Sequence, residues 1–322
     1  MAIVIQTRMI ASGDIGLAVT VTGSGPLVIL MHGWPELGRS YRHQIEAIAR
    51  VGYTVAVPDM RGYGGSSTPS DPARYTLDAT ADDMAAIAAE LGFERWVAVG
   101  HDWGAFVAWR SALRFPEQVA GVFALSIPYR AGAMMSAEQR FAAEYPDRFF
   151  YMRYFQEPGL AESELERDVR ASLKTIFFAL SGDAPLGEWI RYRPLDAPLL
   201  EGLTPPPIGP LSFMTDAELN LYAGEFAKSG FAPSLNWYRR MDVNAAQARA
   251  YGDQIVRQPV GFLCGDREIA LVMNPGALEG QRRLCPDIRL ERIVPGAGHW
   301  IQQERPEDVS RALVEFLKGM QL

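Results

Sequence analysis

Apolar and polar positions follow three different rhythms along the chain. In the first third, short unbroken apolar runs, "LVILM" (27–31), "TVAVPD" (54–59), "WVAV" (96–99) and "GVFALS" (121–126), are separated by the amphipathic "LDATADDMAAIAAEL" (77–91). Runs this short without polar alternation predict strands buried on both faces, and the helical stretches between them predict a parallel sheet. Gly92 fits the residue just past a helix end, and Pro116 stops the helix expected from Ala105 onward. From about 131 to 250 the pattern changes to helices and loops, with capping boxes predicted at Ser163 to Glu166 and Thr215 to Glu218 and a Pro-rich excursion at "LTPPPIGP" (203–210). Strand rhythm returns at "PVGFLC" (259–264) and "IRLERIV" (288–294), and "PEDVSRALVEFLKG" (306–319) reads as a closing helix. The order predicts one α/β core in two parts, 1–130 and 251–322, with a helical cap at 131–250 inserted between them; internal repeats are absent.

Composition narrows the class. Of 322 residues, 48% are aliphatic, aromatic or Cys and 21% are charged, enough apolar content for a sizeable core and too much for disorder. A net charge of −7 without Lys/Arg runs argues against nucleic acid or an anionic membrane as partner. No apolar stretch reaches the roughly 18 residues of a membrane span, and "MAIVIQTRMIASGD" lacks the build of a signal peptide, so a cytoplasmic protein is expected. Cys264 and Cys285 have neither metal nor disulfide-scaffold spacing and read as buried thiols. Nothing has metal-ligand spacing, and "RGYGG" (61–65) lacks the Lys and Ser/Thr of a phosphate loop; no metal or organic cofactor is expected.

The chemistry centres on "VAVGHDWGAFVAW" (97–109), in which a strand runs into Gly-X-Asp-X-Gly and then a helix. That is the arrangement of a nucleophile elbow, where a strained turn lifts one side chain above a sheet. With Asp102 at its tip, the chemistry would be carboxylate attack on carbon. The competing reading is an Asp that caps the following helix, and the pentapeptide alone leaves the two near even. "HGWP" (32–35) follows the first buried run and can present the Trp34 amide to an oxyanion, with the Trp103 amide as second donor; a cis Trp34–Pro35 bond is reasonable there. Of four histidines, His32 and His101 belong to these motifs and His43 to a helix-like stretch, which leaves His299 in "PGAGHW" as the general base. The acid that orients it should follow "GFLC", where Asp266 and Glu268 are both available; Asp266 is also well placed to stabilise the turn after Gly265.

With "HGWP", "GHDWGA" and "GAGHW" in this order, the chain resembles the α/β-hydrolase-fold epoxide hydrolases, particularly the soluble type, from about residue 10 to 320. The resemblance implies a mostly parallel sheet flanked by helices with an inserted helical cap. "YMRYFQEPG" (151–159) and "GFAPSLNWYRRM" (230–241) look like the cap segments that carry this family's epoxide-activating tyrosines, which fall at Tyr151 and Tyr238, with Tyr154 outside the pair. The same alignment favours Glu268 over Asp266 as the triad acid, with Glu in place of the commoner Asp. Haloalkane and haloacetate dehalogenases share the Asp elbow, the His and the acid; Trp34 and Trp103 could also cradle a halide, whereas two tyrosines suit an alkoxide. The implied reaction is epoxide to vicinal diol through an ester on Asp102, with a small apolar or aromatic epoxide and water as partners and a homodimer possible. His299, with an ordinary pKa of about 6.5, is expected to be largely neutral at pH 7.

Overall fold

The computed structural model describes residues 6–132 and 135–320. Residues 1–5, 133–134 and 321–322, which the predicted segments include, lie outside the described residues. Eight strands form one sheet: β1 (Gln6–Ser12), β2 (Ile15–Gly23), β3 (Leu27–Met31), β4 (Thr54–Pro58), β5 (Trp96–His101), β6 (Val119–Leu125), β7 (Val260–Gly265) and β8 (Ile288–Val294), in the order β1-β2-β4-β3-β5-β6-β7-β8. Among the described residues of this sheet, only the β1–β2 and β2–β4 pairings are antiparallel, so β2 runs against the other seven strands.

The unbroken apolar runs are explained by burial on both sides. Every residue of β3 to β7 is buried, and alternate residues serve opposite faces. Leu27, Ile29 and Met31 share a core with Met84 and Ile87 of the helix Leu77–Glu90 and with Ala105 and Ala108 of the helix Trp103–Arg114. Val28 and Leu30 face the other way, toward Ile48 of the helix Gln44–Arg50 and Val309, Leu313 and Phe316 of the helix Pro306–Lys318.

The β1–β2 hairpin was not anticipated, although "SGDIG" holds its turn: Ser12 pairs with Ile15 across Gly13 and Asp14, and Gly13 takes φ 61°. Gly92 lies just past its helix with φ 81°, as expected of such a residue.

Between β6 and β7 the chain forms the helical cap, including helices Ala137–Glu144, Tyr151–Tyr154, Leu160–Leu165, Val169–Ala179, Asp216–Ser229 and Met241–Ala248. Thr215 caps its helix with Glu218 as predicted. Ser163 does not: it lies inside the helix Leu160–Leu165, donating to the Leu160 carbonyl, and Gly159 is the capping residue, its amide bonded to Glu162. A left-handed glycine offers a chain entry that the serine spacing does not announce.

Because β3, β5, β7 and β8 are parallel, the loops that follow them open on one edge of the sheet, the usual location of ligand sites in such sheets. Trp34, Asp102, Glu268 and His299 sit on those four loops.

Candidate active site

β5 ends at His101 and the next helix begins at Trp103, leaving Asp102 at the turn with φ 52° and ψ −119°. Backbone in that region costs about 1–3 kcal/mol for a residue with a side chain. The close crossing demands glycine on either side. A Cβ on Gly100 would stand 2.0 Å from the Gly104 carbonyl oxygen, and one on Gly104 would stand 2.0 Å from the Met31 oxygen.

The Asp102 side chain makes no helix-capping hydrogen bond. Its Oδ1 instead accepts from the Trp34 amide at 2.9 Å, and its Oδ2 lies 3.5 Å from His299 Nε2. Trp103, as the first helical residue, has an amide without an i−4 acceptor, pointing out of the helix start. The Trp34–Pro35 bond is cis.

His299 Nδ1 faces both oxygens of Glu268, at 3.1 and 3.0 Å. Glu268 is fully buried and also accepts from the Ala270 amide at 2.9 Å. Asp266 turns elsewhere, accepting from the Gly296 amide at 2.8 Å on the exposed loop after β8, a different turn from the one after Gly265 that was expected of it. His43 precedes the helix Gln44–Arg50, outside the cavity, and His32 accepts from the Met60 amide at 2.9 Å.

Charge state departs from the expectation for His299. Burial disfavours its cation, but the charges and hydrogen bonds of Glu268 and Asp102 outweigh burial and raise its pKa well above the ordinary value. In the free protein the two carboxylates thus favour the imidazolium form of His299 over the neutral ring expected from its unperturbed pKa. Burial likewise opposes ionisation of Asp102, yet the hydrogen bond and charge of His299, with His101 and the Trp34 amide, hold its carboxyl below the usual value. Glu268 is lowered by the same contest between burial and His299.

Above this triad stand two buried phenols. Tyr151 opens the short helix Tyr151–Tyr154, and Tyr238 opens the 3-10 turn Tyr238–Arg240, with ring centroids 6.3 Å apart. Phe155 packs edge-on against both, at 5.7 and 4.9 Å, and Arg239 ties the two segments by donating to the Phe155 carbonyl and to Glu162. Burial, then the charge of Asp102, lifts both phenols well above 10, so they stay protonated. Tyr154 donates to Glu164 at 2.9 Å, outside the pair as expected.

Trp34, Asp102, Trp103, Tyr151, Tyr238 and His299 line one cavity of about 460 Å³, extended by apolar groups such as Phe106, Leu180, Trp189 and Met273. A volume of that order suits a small molecule.

Sequence reasoning missed the support behind His299. His101 Nε2 donates to the His299 carbonyl at 2.7 Å, which can only accept, while Nδ1 lies 2.7 Å from Glu36. Glu36 is fully buried and also accepts from Gln302 and Gln303. Ser126, at φ 68°, adds a second donor to the same carbonyl at 2.9 Å. A Glu directly after "HGWP" was the available signal.

Residues 26–306 match the family described as the α/β hydrolase fold. The chain is 37% identical to epoxide hydrolase A of Mycobacterium tuberculosis (strain H37Rv) over 98% of both chains. Two solved structures are also similar: an epoxide hydrolase from an endophytic Streptomyces (TM-score 0.92, 37% identity, covering 98% of this chain and 96% of that one) and epoxide hydrolase A from Mycobacterium thermoresistibile (TM-score 0.89, 35% identity, covering all of both). Within the α/β hydrolases, the chain belongs to the epoxide hydrolases.

Proposed function

We propose that this enzyme converts an epoxide to a vicinal diol through an ester on Asp102. The observation that carries the reading is one cavity in which a carboxylate, held by the Trp34 amide and His299, faces two protonated phenols. The described parts of 1–130 and 251–322 form the core and those of 131–250 the cap; the cavity takes its lining from both, so the substrate lies between them.

Asp102 attacks a ring carbon and the C–O bond breaks. The departing oxygen takes a proton from Tyr151 or Tyr238, which the other phenol assists by hydrogen bonding. Ester formation removes the Asp102 charge that helped keep His299 protonated, and the imidazolium proton restores the tyrosine. Neutral His299, its tautomer fixed by Glu268, then takes a proton from water as the oxygen attacks the Asp102 carbonyl carbon. The Trp34 and Trp103 amides receive the oxyanion, where losing one donor typically costs roughly 100- to 1,000-fold in rate. Collapse releases the diol oxygen, which takes the proton left on the Asp102 carboxyl; Asp102 is ionised again and His299 protonated. The substrate is a small apolar or aromatic epoxide, in keeping with Phe106, Trp189 and Met273 in the wall.

Hydrolytic dehalogenation is the second reading, and one observation favours it. The Trp34 indole N–H is buried without a hydrogen-bond partner among the described residues, a donor that a halide could occupy.

A single turnover of excess enzyme with styrene oxide in oxygen-18 water tests the proposal. Unlabelled first-turnover diol with label in the Asp102 peptide is expected. Label in the diol and none in Asp102 would mean direct attack by water; halide release from haloalkanes outpacing all diol formation would favour the second reading.

A further inference from the structure

The loop that carries His299 is held by a carboxylate with no part in the steps above. Glu304, at the end of the short helix Ile301–Glu304, accepts from the amides on either side of His299: Gly298 at 2.9 Å and Trp300 at 3.0 Å. The same carboxylate reaches into the cap and accepts from the Gly182 amide at 2.8 Å. No cation stands opposite it among the described residues. Burial raises its pKa, and the three amides work against that rise.

Two further bonds join the same places. The His299 amide donates to the Leu180 carbonyl at 2.9 Å, and the Trp300 indole donates to the Phe177 carbonyl at 2.8 Å. The backbones touch with no room for side chains between them. A Cβ on Gly182 would stand 2.5 Å from the Gly296 oxygen, and one on Gly298 would stand 2.4 Å from the Gly182 nitrogen. The His299 carbonyl, by contrast, faces the core through Ser126 and His101. The base is therefore suspended between core and cap: its carbonyl side belongs to one, and its amide side to the other.

We propose that Glu304 is a positioning residue, fastening the His299 loop to the cap turn at Leu180–Gly182 so that hydrolysis of the ester depends on it far more than ester formation does. This rests on the ester reading above. Ester formation uses Asp102 and the two phenols, none of which Glu304 touches, and needs His299 only as the neighbouring cation, a demand on position looser than that of an in-line proton transfer. Hydrolysis needs His299 Nε2, a water and the ester carbon in line, and an error of about 1 Å in such an arrangement can cost roughly 100-fold.

The test is Glu304→Gln in the full chain. Rapid-quench single turnovers with styrene oxide follow ester formation and diol release separately, and circular dichroism checks the fold. The expected result is hydrolysis slowed about 10- to 100-fold with ester formation within about twofold, so that ester accumulates on the Asp102 peptide. Gly182→Ala keeps the carboxylate's charge but drives a wedge into the joint from the cap side, its Cβ standing 2.5 Å from the Gly296 oxygen and 2.9 Å from Glu304 Oε2, and should give the same split. Should Glu304→Gln fail to fold, Gly182→Ala decides alone. Folded variants that slow both steps equally, or that leave hydrolysis unchanged, overturn the proposal. A wild-type enzyme that makes diol without an ester overturns the ester reading, and this proposal with it, before any variant is compared.

Discussion

The core and the cap each contribute to the cavity, but they hold their groups by different forces. Asp102, His299 and Glu268 are fixed by directed hydrogen bonds, from the Trp34 amide on one oxygen to the Glu268 carboxylate on the far side of the imidazole. Tyr151 and Tyr238 are fixed mainly by the packing of rings: Phe155 between them, Trp189 against Tyr151, and Trp34 and Trp103 against Tyr238. The difference follows from the charge each group carries at rest. Ionised groups in a buried site need partners to offset desolvation. Neutral phenols do not, and ring packing suffices to hold them, with the Trp103 side chain adding one hydrogen bond to Tyr238.

The contrast can be attacked in order of expected damage. Asp102→Asn removes the proposed nucleophile while keeping the shape, and diol formation should fall by roughly 10,000-fold or more, measured by product chromatography. Retained turnover would break the assignment of attack to the core. Tyr151→Phe combined with Tyr238→Phe should lower ester formation by roughly 100- to 10,000-fold, the range of general acid catalysis, with thermal stability close to wild type because both rings remain. If hydrolysis suffers instead, the phenols act elsewhere.

A third test sharpens the electrostatic half. Two carboxylates raise the His299 pKa in the resting enzyme, so removing one should lower it. The His299 ring signal should titrate well above the ordinary histidine range in the wild type and at lower pH in Asp102→Asn. By the same sign, hydrolysis by the proposed route needs neutral His299 and should rise with pH through its pKa in the ester. Its midpoint should lie below the titration of His299 in the resting enzyme. Equal midpoints would mean that the Asp102 charge has no hold on the base. The smallest effect is expected at Phe155, fully buried against both phenols. Phe155→Leu should cost about 1 kcal/mol in calorimetry and weaken kcat/KM severalfold by loosening the tyrosines, leaving the His299 titration unmoved.

What could be read from the chain divides along the same line. Strands β3 to β7 and the site loops were legible because continuous apolar runs and glycine-flanked turns are local signals, β8 was legible from its β-branched, partly alternating pattern, and the elbow's requirement for Gly100 and Gly104 appears in the pentapeptide itself. The family resemblance supplied Tyr151 and Tyr238, which no local pattern marks. Three things escaped for physical reasons. The β1–β2 hairpin has one exposed edge, so its apolar alternation is weak, and β1 is mostly exposed. The protonation of His299 depends on Asp102 and Glu268, brought beside it only by the fold. Glu36 and Ser126 act through a backbone carbonyl, and no pairwise spacing in the chain encodes that contact.

The adjacency of β6 and β7 has a consequence for how the chain is made. Val122 pairs with Val260 across a gap in sequence that contains the entire cap. During synthesis from the N-terminus, β1 to β6 emerge first and leave the outer edge of β6 without a partner until the ribosome has delivered the cap and then β7. A wholly buried strand with an open edge is a template for pairing with another nascent chain. The long cap thus makes the first half of the polypeptide the vulnerable half, and a chain truncated shortly after β6 should be found in inclusion bodies.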